Sequence, residues 1–116
     1  MSDIKVHVGT TIKEMGERFV DAWHRAEAGE DIHERHVSFE SMDMLARTLT
    51  AKRIETIRAL RREKAHSVRE LAARLHRDVK NVHGDLKALV DAGIVDQDET
   101  GYHTDVTHIR TEIALF

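Results

Sequence analysis

The sequence predicts a mainly α fold with a small β component. Three observations carry this expectation. Apolar residues recur at three- and four-residue steps through most of the 116-residue chain, and side chains able to cap a helix open each such run. Proline is absent, where average usage would place about six. Only 4% of residues are aromatic against 41% apolar, so the core is expected to be built from Leu, Ile, Val and Ala, as suits packed helices.

The most structured stretch runs from Ser67 to Ile94. Ser67 and Glu70 have the spacing of a capping box, in which the serine accepts from the Glu70 N–H and the glutamate reaches back to the Ser67 N–H. Val68, Leu71, Ala72 and Leu75 then share a helical face. After a turn at His76-Arg77, Asp78 is a good N-cap, and Val79, Val82, Leu86, Leu89 and Val90 form a second apolar stripe. With that stripe inward, the outward side of the second helix carries Lys80, Asn81, His83, Gly84 and Lys87. Gly93 supplies a left-handed stop. Beyond it, Ile94–Gln97 and Tyr102–Asp105 flank Asp98-Glu-Thr-Gly101, the pattern of a β-hairpin. Two short helices, a tight turn and a hairpin are the layout of a winged helix-turn-helix.

The other elements are read in order. Ile4–Val8 alternates as a strand. Thr11 with Glu14 is a second capping box, opening a helix with Ile12, Met15, Phe19, Ala22, Trp23 and Ala26 on one face and ending near Gly29. Glu30 to Arg35 reads as a loop and His36–Glu40 as a second strand, which would make a small parallel pair with the first, right-handed in its connection. Trp23 is assigned to core or interface. Ser41 caps a helix over 42–49, and Thr50 one over 51–64 that buries Ile54, Ile57 and Leu60. Asp105 is expected to cap a last helix, 106–115, presenting Ile109, Ile113 and Leu115. Residues 1–40 thus form a strand-helix-strand extension suited to dimerisation or partner binding, and residues 41–116 the winged helix-turn-helix domain. A two-stranded unit of this size exposes its edges, so a homodimer through it is expected, with the C-terminal helix as a second candidate interface.

Charge is segregated. The net charge is −3, but from Arg47 to Lys87 twelve basic residues stand against five acidic ones. Arg58, Arg61, Arg62 and Lys64 crowd one helix end, where cations also suit the helix dipole. Cysteine is absent, which excludes disulfides and thiolate chemistry. The nine histidines lack metal-ligand spacing, His33 and His36 being three apart, so no metal or other cofactor is expected. No nucleophile sits beside a base and no glycine-rich loop precedes a helix, so an enzyme is not expected. No apolar run approaches the roughly 20 residues of a membrane span. The Met-Ser-Asp start carries no signal for export, so the expected location is cytoplasmic.

The run Asp78-Val-Lys-Asn-Val-His-Gly-Asp-Leu-Lys-Ala-Leu89, entered from Ser67-Val-Arg-Glu-Leu-Ala and left by Asp91-Ala-Gly-Ile-Val95, resembles the winged helix of MarR- and ArsR-like prokaryotic regulators. With Glu14–Phe19, Val37–Ser41 and Lys80–His83, the whole chain is similar to a family of small predicted transcriptional regulators of bacteria and archaea, some of them antitoxin-like. The resemblance implies a sequence-specific regulator of double-stranded DNA, an autorepressor, with a cognate toxin as a further partner. That family carries a larger, often basic residue where this chain has Gly84.

Geometry and chemistry assign roles on DNA. The Asn81 amide suits adenine N6 and N7 in the major groove. Lys80 and Lys87 suit phosphates, as do Arg69, Arg74 and Arg77 on the positioning helix and turn, with Ser67 at its N-terminus. His83 suits a phosphate, a base or a plain surface position, and Gly84 lies beside it. The acidic hairpin tip is expected to contribute little. The competing reading is a winged helix serving as a protein-interaction module without DNA binding.

Overall fold

Alternation of apolar Ile4, Val6 and Val8 with polar residues makes Ser2–Val8 a strand, β1, and a shorter alternation of Val37 and Phe39 with polar neighbours ends Glu34–Phe39, β2. The structure, a computed structural model, describes residues 2–9 and 34–115. The helix expected from Thr11 to Gly29, its Glu14 capping box, the packing of Trp23 and the hand of the connection lie outside the described residues. β1 and β2 pair in parallel, Ile4 opposite Arg35 and Val8 opposite Phe39.

Four helices follow: α1 (Met42–Thr48), α2 (Ala51–Arg62), α3 (Val68–Leu75) and α4 (Val79–Asp91). Each opens on a side chain that satisfies an otherwise unpaired amide. Ser41 accepts from Met44 N–H, Thr50 from Arg53 N–H, Ser67 from Glu70 N–H, and Asp78 from Lys80 and Asn81 N–H. One half of the expected capping box differs: the Glu70 carboxylate accepts from His66 N–H at 3.0 Å, one residue before the cap. The turn between α3 and α4 is made by His76 in the left-handed region, φ 54°, a conformation in which histidine is among the better tolerated non-glycine residues. A hairpin closes the unit, β3 (Asp96–Asp98) against β4 (Gly101–His103). A single bridge between Ala65 and Tyr102 ties the α2–α3 connection to it.

The C-terminal segment overturns the expected fold class. Val106–Ile113 is a strand, β5, and not a helix capped by Asp105. It lies parallel to β1, so the sheet order is β2-β1-β5. The protein is therefore α/β with a three-stranded parallel sheet, not mainly α with a small β component. The physical reason is a register shift: Ser2 faces Val106 but Asp3 faces His108, leaving Thr107 as an extra residue. The shift puts Val106, Ile109, Thr111 and Ile113 on one face, beside Ile4, Val6 and Val8. It also carries a strand of the second unit into the sheet of the first, across residue 40.

β1 is the buried centre of that sheet, with Ile4 and Val6 fully inaccessible on one face and His7 on the other. His7 Nε2 lies 2.7 Å from His36 Nδ1. The Ile4 face merges with Leu45, Leu60, Leu71, Val82, Leu86, Leu89, Ile94 and Val95 into one apolar cluster. Arg35, on that face, donates to the Gly93 carbonyl at 2.9 Å and pairs with Asp96, fastening β2 to the end of α4 and the start of the hairpin.

Gly101 has φ +131°, and a Cβ there would lie 2.1 Å from the Ala65 carbonyl oxygen. That oxygen accepts from Tyr102 N–H at 2.8 Å, so it cannot move without breaking the bridge. Gly101→Ala is expected to destabilise the protein by about 2–3 kcal/mol, through forced backbone movement and a disfavoured φ. Urea unfolding of the two proteins measures this.

Candidate nucleic-acid interface

The rotation of α4 about its axis is set by burial. Val82, Leu86 and Leu89 are fully inaccessible, and Lys80, Asn81, His83, Gly84 and Lys87 are consequently all exposed on the opposite side. Val79, expected in the apolar stripe, is instead 42% exposed in the first turn. The position of α4 against its neighbours is set by Asp85. Its carboxylate lies 2.7 Å from the Arg77 guanidinium in the turn and 3.0 Å from Arg53 Nε on α2. All three side chains are largely buried, and Arg53 also donates to the Arg47 and Thr48 carbonyls that end α1.

This changes the expected set of phosphate contacts. Arg77 is held inward by Asp85. Arg74 donates to the Glu63 and Lys64 carbonyls at 2.8 and 2.7 Å and pairs with Glu70 at 2.7 Å, so it closes the α2–α3 connection. Both arginines hold the scaffold, and Ser67 is occupied as the α3 cap. Arg69 is exposed and carries no polar partner among the described residues, like Lys80 and Lys87, and like Arg58, Arg61 and Arg62 at the end of α2. The structure thus leaves Arg69, Lys80, Asn81, His83 and Lys87 able to meet a ligand, with Gly84 central among the α4 residues.

Sequence reasoning missed the Asp85 clamp, whose partners are 32 and eight residues away and share no local pattern. It also missed a cleft of about 160 Å³ between α4 and the hairpin, lined by His83, Lys87, Val90, Asp91, Gln97 and Tyr102. Tyr102, the one tyrosine in the chain, accepts there from Gln97 Nε2 at 3.2 Å.

The hairpin tip is less repulsive than its composition implied. Asp98 accepts from the Thr100 hydroxyl and N–H at 2.6 and 2.7 Å and lies 3.0 Å from His103 Nε2 and 3.5 Å from Lys64 Nζ. The Thr100 bonds, followed by His103 and Lys64, hold its carboxyl far below the usual range. The Arg74 hydrogen bond, followed by that from the His66 backbone, likewise lowers Glu70. Among the described residues no three His, Asp or Glu side chains group as metal ligands, and no helix is long and apolar enough to cross a membrane.

The profile of HVO_A0114 matches residues 48–113, more than half of the chain. The chain belongs to the HVO_A0114 family. The HVO_A0114 match begins at the end of α1 and ends with β5, so it takes in the Asp85 clamp, the exposed side of α4 and the hairpin. Neither the curated proteins nor the solved structures contain a significant match.

Two outcomes are expected. Asp85→Ala leaves two largely buried guanidinium groups without their carboxylate and should cost about 2–4 kcal/mol in urea unfolding. Because Glu70 and Asp98 are held below their ordinary values, the stability each adds is fully present above the unfolded carboxylate range, about pH 4. It is lost as pH falls through the lowered folded values. Acid titration followed by NMR should show both carboxyls titrating below the ordinary carboxylate range, and Asp98→Asn should flatten the fall in stability below about pH 4.

Proposed function

We propose that this protein is a sequence-specific DNA-binding regulator that places α4 in the major groove, a winged helix carried on an α/β sheet. The observation that supports the reading best is the exposed side of α4. There Lys80, Asn81, His83 and Lys87 project from a helix anchored on its other side by buried Val82, Leu86 and Leu89. In this reading Asn81 reads an adenine edge, Lys80, Lys87 and Arg69 hold phosphates, and the unpaired Arg58, Arg61 and Arg62 extend the positive surface. Acting on its own upstream region, such a protein is an autorepressor in the cytoplasm. Beside a toxin gene it is the DNA-binding half of an antitoxin.

Gly84 adds support. Among the described residues a Cβ at this position would meet nothing within 4 Å, so none of them requires glycine in the middle of α4, where it costs roughly 1 kcal/mol relative to alanine. Close approach of a DNA backbone would give it a use.

Gel retardation with the upstream region tests this. Binding should weaken with salt at a log–log slope of about −0.9 per phosphate contact. Lys87→Ala should lower that slope by about 1 and weaken all sequences alike, and Asn81→Ala should lose about 1–3 kcal/mol on the cognate site alone. Gly84→Ala should raise stability by about 0.5–1 kcal/mol while reducing affinity. Absence of retardation at low salt, or equal losses on cognate and random DNA for both variants, overturns the reading and leaves the face to a protein partner.

A further inference from the structure

Among the described residues, Val79 is the only large apolar side chain of α4 that stays exposed. It stands three residues before Val82 and seven before Leu86, so by period it belongs to the buried stripe. Yet it is 42% exposed, while Val82 and Leu86 are fully inaccessible. The stripe overruns the core by one position, at the start of the helix.

Helix formation gives no reason for valine there. A β-branched residue is a weak helix former. The Asp78 carboxylate already supplies the cap, accepting from the Lys80 and Asn81 N–H groups. What surrounds Val79 decides what it can meet. Lys80, Asn81 and His83 are exposed beside it, and none of these three side chains has a polar partner within the chain. A lone valine ringed by a cation, an amide and an imidazole is a poor centre for a protein interface, which gathers large apolar anchors and is depleted of charge. The setting fits a polyanion that offers one methyl group at a time. On the base edges of the major groove that group is the C5-methyl of thymine, which aliphatic side chains recognise by contact.

We infer that Val79 reads a thymine through its C5-methyl group. The inference rests on the DNA reading and sharpens it. Asn81 and Val79 lie in the opening turn of α4, where recognition helices meet base edges. The target of α4 then combines an adenine read by hydrogen bonds with a thymine read by apolar contact. Because Val79 carries no charge, its share of the recognition is independent of salt, unlike that of Lys80 and Lys87.

Footprinting of the upstream region with the full chain defines the bound duplex. Each thymine in it is then replaced singly by deoxyuridine, which pairs identically and lacks only the methyl. Retardation by the unsubstituted chain should weaken about fourfold where Val79 meets the base, the worth of one methyl group withdrawn from contact. Val79→Ala should bind the native duplex more weakly, lose nothing further with deoxyuridine at that position, and keep the salt slope of the unsubstituted chain. Lys87→Ala should be weaker on every duplex and still show the deoxyuridine step. The deoxyuridine series on the unsubstituted chain needs no variant, so it decides even if Val79→Ala folds poorly. Retardation that no deoxyuridine weakens overturns the inference and leaves the DNA reading standing. So does a folded Val79→Ala that keeps the full step at every sensitive thymine. Absence of retardation at low salt overturns both.

Discussion

The parallel pairing of β1 with β5 is the constraint on which the rest of the structure depends. β1 begins at the second residue and β5 starts at Val106, so the helices and hairpin all lie on the path between two adjacent strands. A parallel pair cannot be joined by a tight turn and needs a long crossover, and here the crossover contains the candidate interface. Its geometry is therefore held at both ends by one sheet, and Arg35 adds a direct tie from β2 to the Gly93 carbonyl.

Within that frame, positioning of α4 rests on a division between residues that hold and residues that face outward. Asp85 gathers Arg53 and Arg77 into a largely buried cluster. A broken pair there leaves a charge without compensation, so the cluster specifies one arrangement of α2, the turn and α4 more sharply than it adds net stability. Arg74 does the same for the α2–α3 connection through two carbonyls and Glu70. The basic charge of this region is thus of two kinds. Arg53, Arg74, Arg77 and Lys64 are internal counterions, while Arg58, Arg61, Arg62, Arg69, Lys80 and Lys87 supply the field outside.

What could be read from sequence was local. Ser41, Thr50, Ser67 and Asp78 announce their helices because a cap is decided within three residues, and Gly93 and Gly101 mark a stop and a hairpin for the same reason. β1 and β2 alternate plainly. β5 was hidden by its bulge. With Thr107 inserted, the inward residues Val106, Ile109 and Ile113 fall at the spacing of a helical stripe, so a distorted strand imitates a helix. Its pairing partner lies about a hundred residues earlier, outside any local window. The site was legible in part on the same grounds: the outward side of α4 follows from its buried stripe, whereas the roles of Arg74 and Arg77 depend on Glu70 and Asp85, which no spacing rule connects to them.

The register between β1 and β5 also orders events during folding. β1 is synthesised before β5, and its second neighbour in the sheet is made only after the four helices and the hairpin. The contacts within residues 51–103 are short in sequence and close quickly, and the pairing of Ser2 with Val106 closes one of the longest loops in the chain. The helical unit is therefore the natural nucleus, and the sheet forms around it as a late clasp. Until that clasp closes, β1 is a hydrophobic strand with an open side. A strand enclosed on both sides in the finished molecule is thus open to mispairing while it is being made.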